Sequence, residues 1–313
     1  MDTNPIYIST IRSVAGSRRV DNVQQSSLAG KDESFVEKRL GAFELAEATI
    51  DETATVLAKS AASNALSSAD VTPEHVGLLI FVTQNPDYGG IPHNSAILQA
   101  ELGLPTSAMC FDVGLGCSGY IYGLKIAAAI MATSDIETAL IVTSDQYRSR
   151  LDHEDSSTRL IFGDGAAATV VSKKTGPLAL RGYRFGTDGS SYDAIIKTNE
   201  TIHMNGRGVF NFARSVMPSE IRAFMSDNNL GEDTIDALLL HQGSRIIVEE
   251  IGKKLALPNA TVPVELEGIG NAVSSSIPLL LEKRLADPAM KTAILAGFGV
   301  GLSWGITWVE RVK

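Results

Sequence analysis

The stretch "CFDVGLGCSGYIYGLKIAAAIM", residues 110–131, sets Cys117 between glycines, directly after a strand-like run and directly before a long apolar helix. A thiol at the first turn of a helix feels the partial positive charge of unsatisfied backbone N–H groups, which favours thiolate and predicts a lowered pKa. Cys117 therefore reads as a candidate nucleophile. It also fits a small core position, since free cysteine is among the most buried residue types. Cys110, inside the strand, reads as structural. A thiolate attacking a carbonyl needs donors for the charge that develops, and two polar residues stand at comparable strand ends. His241 closes the apolar run in "LLLHQGS", and Asn271 follows a glycine turn in "GIGNAVSSSIP". Singly, each has an ordinary explanation, as a strand-end histidine or a helix N-cap. Together they form a set that accident explains poorly. The bend "GFGVGLSWG", residues 297–305, can present an unobstructed backbone N–H as an oxyanion site requires, or act as a plain hairpin turn.

These residues need a frame, and the hydrophobic pattern describes one. Apolar runs at 76–84, 108–116, 137–145 and 166–172 in the first half read as buried strands, as do 235–243, 260–266, 291–299 and 302–310 in the second. Helical patterns fall between them at 47–68, 91–102, 119–133, 213–229, 244–255 and 274–285. The order of elements is repeated: an amphipathic helix, a turn, a strand, a turn with a small polar residue, a long helix and another strand. Cys117 occupies that polar turn in the first half and Asn271 in the second. The expectation is an α/β chain of two duplicated halves, 1–172 and 173–313, whose equivalent strand ends meet at a shared cleft.

Bulk properties narrow the class. With 313 residues and 44% apolar content the chain can bury a large core. A net charge of -9 without a block of Lys or Arg argues against a nucleic-acid partner. No run of about 18 apolar residues suggests a membrane span, and "MDTNPIYIST" lacks a basic segment followed by an apolar core. A cytoplasmic location is expected. Two cysteines seven positions apart fit neither a disulfide framework nor a zinc site, so no metal is expected.

The segments "DVGLGCSGYIYGL", "RLIFGDGAAATVV", "LLLHQGS", "GIGNAVSSSIP" and "AGFGVGLSWG", in this order and spacing, resemble the β-ketoacyl-acyl-carrier-protein synthase III family of the thiolase superfamily. The resemblance spans essentially the whole chain. It implies a five-layered α-β-α-β-α thiolase-like fold, a homodimer, and a triad of Cys117, His241 and Asn271. It further implies that Cys117 takes an acyl group from acyl-coenzyme A or an acyl-carrier protein, with the backbone N–H groups of Cys117 and Val300 holding the oxyanion. Malonyl-carrier protein then enters, and decarboxylative condensation follows with no cofactor beyond the thioester substrates. Such chemistry serves fatty-acid or specialised, polyketide-like biosynthesis.

Weaker correspondences place Phe35 and Arg39 where the family has a Trp and an Arg near the coenzyme A adenine. Met204 and Phe210 fall in the segment lining the acyl tunnel. After "HQ" the family commonly has Ala-Asn-x-Arg, whereas Gly243, Ser244, Arg245 and Ile246 follow here, so the arginine is shifted by one residue. On a helix that shift rotates the side chain by about 100°, redirecting any phosphate contact of Arg245. Val300 stands where a third glycine is usual and is expected to narrow the site. Two other readings keep the fold: acyl transfer to an acceptor without carbon–carbon bond formation, and a non-catalytic partner subunit.

Overall fold

In a computed structural model, the structure describes residues 6–152 and 154–312; the first five residues of the N-terminal stretch read above lie outside them. Nine strands form the main sheet: β1 (Tyr7–Ala15), β2 (Leu78–Val82), β3 (Met109–Val113), β4 (Thr138–Asp145), β5 (Gly165–Ser172), β6 (Leu178–Thr187), β7 (Ala237–Leu240), β8 (Thr292–Gly299) and β9 (Ser303–Arg311). The helices that matter for the site are α1 (Ala54–Ser68), α2 (Asn94–Leu102), α3 (Gly119–Ala132), α4 (Gly206–Asp227), α5 (Arg245–Leu255) and α6 (Ser276–Glu282).

The spatial strand order β3-β2-β4-β5-β1 in the first half is matched by β7-β8-β9-β6 in the second, where Thr261 adds a single parallel bridge outside β7. Numbered within each half, both read 3-2-4-5-1. Within the sheet the halves join through a short antiparallel ladder, Tyr7 to Ala179 and Ile8 to Leu178. Their inner faces enclose α3 and α6 in one core that includes Ile80, Val82, Leu124, Ile277, Leu239 and Leu295. The outer faces carry alternate residues of the same strands. Leu79 and Phe81 pack under α1, while Leu238 and Leu240 pack under α4 and α5. Because β2 and β7 are buried on both faces, "LLIFV" and "ALLL" are continuous apolar runs rather than alternating ones. The result is the five-layered, duplicated α/β architecture.

Several boundaries move for local reasons. The helix expected from residue 47 begins at Ala54, because Glu44–Glu47 pairs with Arg18–Asp21 as a small antiparallel ladder and the Thr53 hydroxyl caps the helix by accepting from the Val56 N–H. The helix expected from 213 starts at Gly206, where the Asn205 side chain accepts from the Gly208 N–H at 2.9 Å. The strand expected at 260–266 contributes only the Thr261 bridge, since Pro263 has no N–H to offer a ladder. β1 and β6 have no counterpart among the expected strands; they carry Arg12, Arg181 and Arg184 and so lack an apolar run. β3, expected to be buried, is an edge strand with Met109 48% exposed. Among the described residues, no helix is long and apolar enough to cross a membrane.

Leu124 lies wholly buried on α3 between the two sheet faces. Leu124→Ala should lower unfolding free energy by about 2–5 kcal/mol, read as a reduced urea midpoint with the same slope.

Candidate active site

Cys117 sits in the turn between β3 and α3, two residues before the first helical residue, and is 6% exposed. The backbone of β8 crosses directly over it. A Cβ on Gly299 would fall 2.8 Å from both Cβ and Sγ of Cys117, so only glycine allows that approach. The backbone N–H groups of Cys117 and Val300 flank the sulfur and favour its thiolate. These are the two N–H groups expected above as oxyanion donors. The Val300 side chain packs beside Cys117 and Val273 and does not line the cavity in front of the sulfur.

The ionisation expected from the helix start is not found. Burial pushes the Cys117 thiol up to about 12, the Asp145 carboxylate nearby adds to this, and the two backbone N–H groups act in the opposite sense. A helix terminus supplies at most ~2 kcal/mol, little more than one pKa unit, and desolvation of a buried anion exceeds it. Cys117 is a neutral thiol at rest.

His241 follows the end of β7 and is 3% exposed. Its ring stands edge-on to Phe298 with centroids 5.6 Å apart, and Nδ1 lies 2.7 Å from the Ser276 hydroxyl. Burial pushes its pKa down to about 3, with the Val273 carbonyl working the other way, so the imidazole is neutral. Asn271 is 4% exposed. Its N–H donates to the Ile161 carbonyl at 2.9 Å, and its own carbonyl accepts from the Gly163 N–H at 3.1 Å. The "FGDG" segment, residues 162–165, is thus the clamp on Asn271. Gly163 is required there, because a Cβ would lie 1.6 Å from the Ile269 carbonyl oxygen. The Asn271 Oδ1 accepts from the Val273 N–H at 2.9 Å, which leaves its NH₂ to face the cavity. Val273 itself has φ +49°, a left-handed conformation that costs a β-branched residue about 1–3 kcal/mol.

Cys117, His241 and Asn271 all line one half-open, largely apolar cavity of about 220 Å³. Phe35, Arg39, Met204 and Phe210 line it too, with Phe35 beneath the Lys31 ammonium, 5.6 Å from the ring centroid. Arg245 does not. It is the first residue of α5, packs against Gly41 and pairs with Glu249 at 3.1 Å, while the 100° turn per residue delivers Ile246 and Ile247 to the cavity instead. Sequence reasoning passed over Asp145, at the end of β4 and fully buried. It accepts from the Gln84 N–H at 2.8 Å and the Ser274 hydroxyl at 2.6 Å. Nothing in "IVTSDQ" distinguishes such a carboxylate from a surface one. Among the described residues, no three His, Cys, Asp or Glu are grouped to hold a metal.

A neutral thiol with two backbone donors at its sulfur, facing an imidazole and a carboxamide, defines a thiolase-fold acyl-capturing site. Comparison with known proteins agrees. The profile of 3-oxoacyl-[acyl-carrier-protein] synthase III matches residues 111–189, and that of its C-terminal domain matches 225–311. The chain is 31% identical to the β-ketoacyl-[acyl-carrier-protein] synthase III of Prochlorococcus marinus, over 95% of this chain and 94% of the relative. With the enzyme of the same name from Porphyra purpurea it shares 30% identity, covering 96% and 97% respectively. A crystal structure of a 3-oxoacyl-(acyl-carrier-protein) synthase III superposes with TM-score 0.91 at 32% identity, covering 98% of this chain and 99% of that one. The priming β-ketosynthase of a polyketide pathway superposes with TM-score 0.88 at 25% identity, covering 98% and 96%. The chain belongs to the 3-oxoacyl-[acyl-carrier-protein] synthase III family.

Two outcomes follow from this geometry. Gly299→Ala should displace the Cys117 sulfur and lower its alkylation by iodoacetamide at fixed pH; alkylation at the wild-type rate would contradict the close approach. Burial raises the Asp145 pKa from 3.8 to about 6. The folded state therefore holds that proton more tightly than the unfolded state, and the ionised side chain costs stability as pH rises through this window. The stability of Asp145→Asn relative to wild type should rise between about pH 4 and pH 6 and level off above, read as the difference in thermal midpoints across a pH series. A difference that shrinks with pH has the wrong sign.

Proposed function

We propose that this chain is a β-ketoacyl-acyl-carrier-protein synthase III acting through acyl-Cys117. The observation that carries the reading is one apolar cavity lined together by the Cys117 thiol, flanked by two backbone N–H groups, the His241 imidazole and the Asn271 carboxamide. In the first stage the sulfur attacks an acyl thioester, the N–H groups of Cys117 and Val300 hold the oxyanion, and the carbon–sulfur bond to the departing thiol breaks. The thiol proton of Cys117 ends on that leaving group, which balances the exchange. In the second stage malonyl-carrier protein loses carbon dioxide. His241 Nε2 and the Asn271 NH₂ donate to the thioester oxygen as the enolate forms. The carbanion attacks the acyl group, releases the Cys117 thiolate and leaves a β-ketoacyl product; the thiolate regains its proton from solvent.

Neutrality of the donors suits this chemistry. An imidazolium would offer the carbanion an acid, whereas an imidazole held far below its ordinary pKa stabilises the oxygen without quenching the carbon. The same point weighs against acyl transfer to an amine or alcohol, which needs a general base where Asn271 offers only an amide. The orderly site weighs against a non-catalytic subunit. Phe35, Arg39, Met204 and Phe210 contact the acyl-thioester arm, whether it arrives on coenzyme A or on a carrier protein. A homodimer is part of the proposal, supported by the free edge of β3 and by the exposed Ile50, Tyr88 and Ile91.

Intact-protein mass spectrometry with a panel of acyl-coenzyme A compounds tests the reading. Cys117→Ala should gain no acyl mass. His241→Ala and Asn271→Ala should still be acylated but should release carbon dioxide from malonyl-carrier protein about 10²–10³-fold more slowly, the cost of one lost oxyanion donor. Equal loss of acylation in all three would contradict these roles.

A further inference from the structure

Residues 274–276 are three consecutive serines, all buried, and each hydroxyl has a different partner. Ser274 donates to the Asp145 carboxylate at 2.6 Å. Ser275 meets the Thr143 hydroxyl at 2.8 Å. Ser276 meets Nδ1 of His241 at 2.7 Å. The first two tie the segment to the end of β4, in the opposite half of the molecule from His241, so the third hydroxyl is presented to the imidazole from a fixed base. We propose that Ser276 is a positioning residue that donates to His241 Nδ1 and so holds the ring in the tautomer with its proton on Nε2. The proposal rests on the condensing role given above to His241.

The shorter of two contacts supports this direction. A serine hydroxyl has one proton, and two acceptors are within reach, Nδ1 at 2.7 Å and the Val273 carbonyl at 3.1 Å. The Val273 carbonyl already accepts the backbone N–H of Ser276. The N–H of Gln242 points at the Ser276 oxygen at 3.4 Å and takes one of its two lone pairs, and Nδ1 is the nearer of the two acceptors for its single proton. The opposite tautomer would set the Nε2 lone pair against the oxygen of an enolate, repelling the charge that the site must hold. Ser276 thus acts on the reaction through another residue, and no contact of its own with substrate is needed.

Nitrogen-15 NMR of histidine-labelled wild-type protein reads the tautomer directly; the expected result is a protonated Nε2 and an unprotonated Nδ1 at His241. Ser276→Ala should slow carbon dioxide release from malonyl-carrier protein by about ten- to a hundredfold, the loss typical of a partner that orients a functional histidine. Acylation of Cys117 in the same variant should stay within about twofold of wild type, because the lost interaction belongs to the second stage alone. A proton on Nδ1 in the wild type, wild-type decarboxylation by Ser276→Ala, or loss of acylation equal to loss of decarboxylation would each overturn the assignment. If the variant does not fold, the wild-type spectrum decides. Failure of wild-type Cys117 to accept any acyl group would count against the condensing function and leave the tautomer measurement standing.

Discussion

A thiol, an imidazole and a carboxamide can share one apolar cavity only if their polar atoms that face away from it are already satisfied. Burying an unpaired polar group costs several times what a made hydrogen bond returns, so the bonds behind a buried site decide whether it exists. Here Asn271 Oδ1 takes the Val273 N–H, His241 Nδ1 meets Ser276, and the Cys117 sulfur is flanked by two backbone N–H groups. Each arrangement leaves one useful group facing inward. The strained Val273 and the buried Asp145 belong to the same scaffold: both are unfavourable alone, and both sit where the segment 271–276 is tied to β4.

Duplication explains how such distant residues meet. Both halves have strand order 3-2-4-5-1, and both place a functional residue ahead of one of the two helices that share the central layer. Stacking the halves on α3 and α6 brings the turn of Cys117 and the segment of Asn271 to one end of the core. The bridge between Phe162 and Asn271, from opposite halves, locks that meeting in place. The free energy for this comes from the apolar layers, whose strands are buried on both faces, and the polar staples then select one register among the ways those layers could pack.

Burial also sets the electrostatic character. The same desolvation that raises the thiol lowers the imidazole, so the resting site carries no ion pair between them. Charge appears only when a substrate oxygen enters the reach of preorganised donors, where a low dielectric makes each of them count. The shift of Arg245 onto the flank of α5 adds to this: Ile246 and Ile247 keep that side of the cavity apolar, and the guanidinium is spent on Glu249.

The amino-acid sequence alone determined the α/β class, the duplication, the membership of Cys117, His241 and Asn271 in one set, and the glycines that let backbone pass close to sulfur. These depend on residue type and spacing, which a linear chain displays. It did not display β1 and β6, whose charged residues hide their strand character. Nor did it display Asp145 and the separate duties of three identical serines. The tertiary structure decided those, and it reversed the expected acidity of Cys117. The physical reason is that burial, hydrogen-bond direction and the facing of a helical residue are properties of the neighbours that folding supplies, and a neighbour more than a hundred residues away leaves no mark on local pattern.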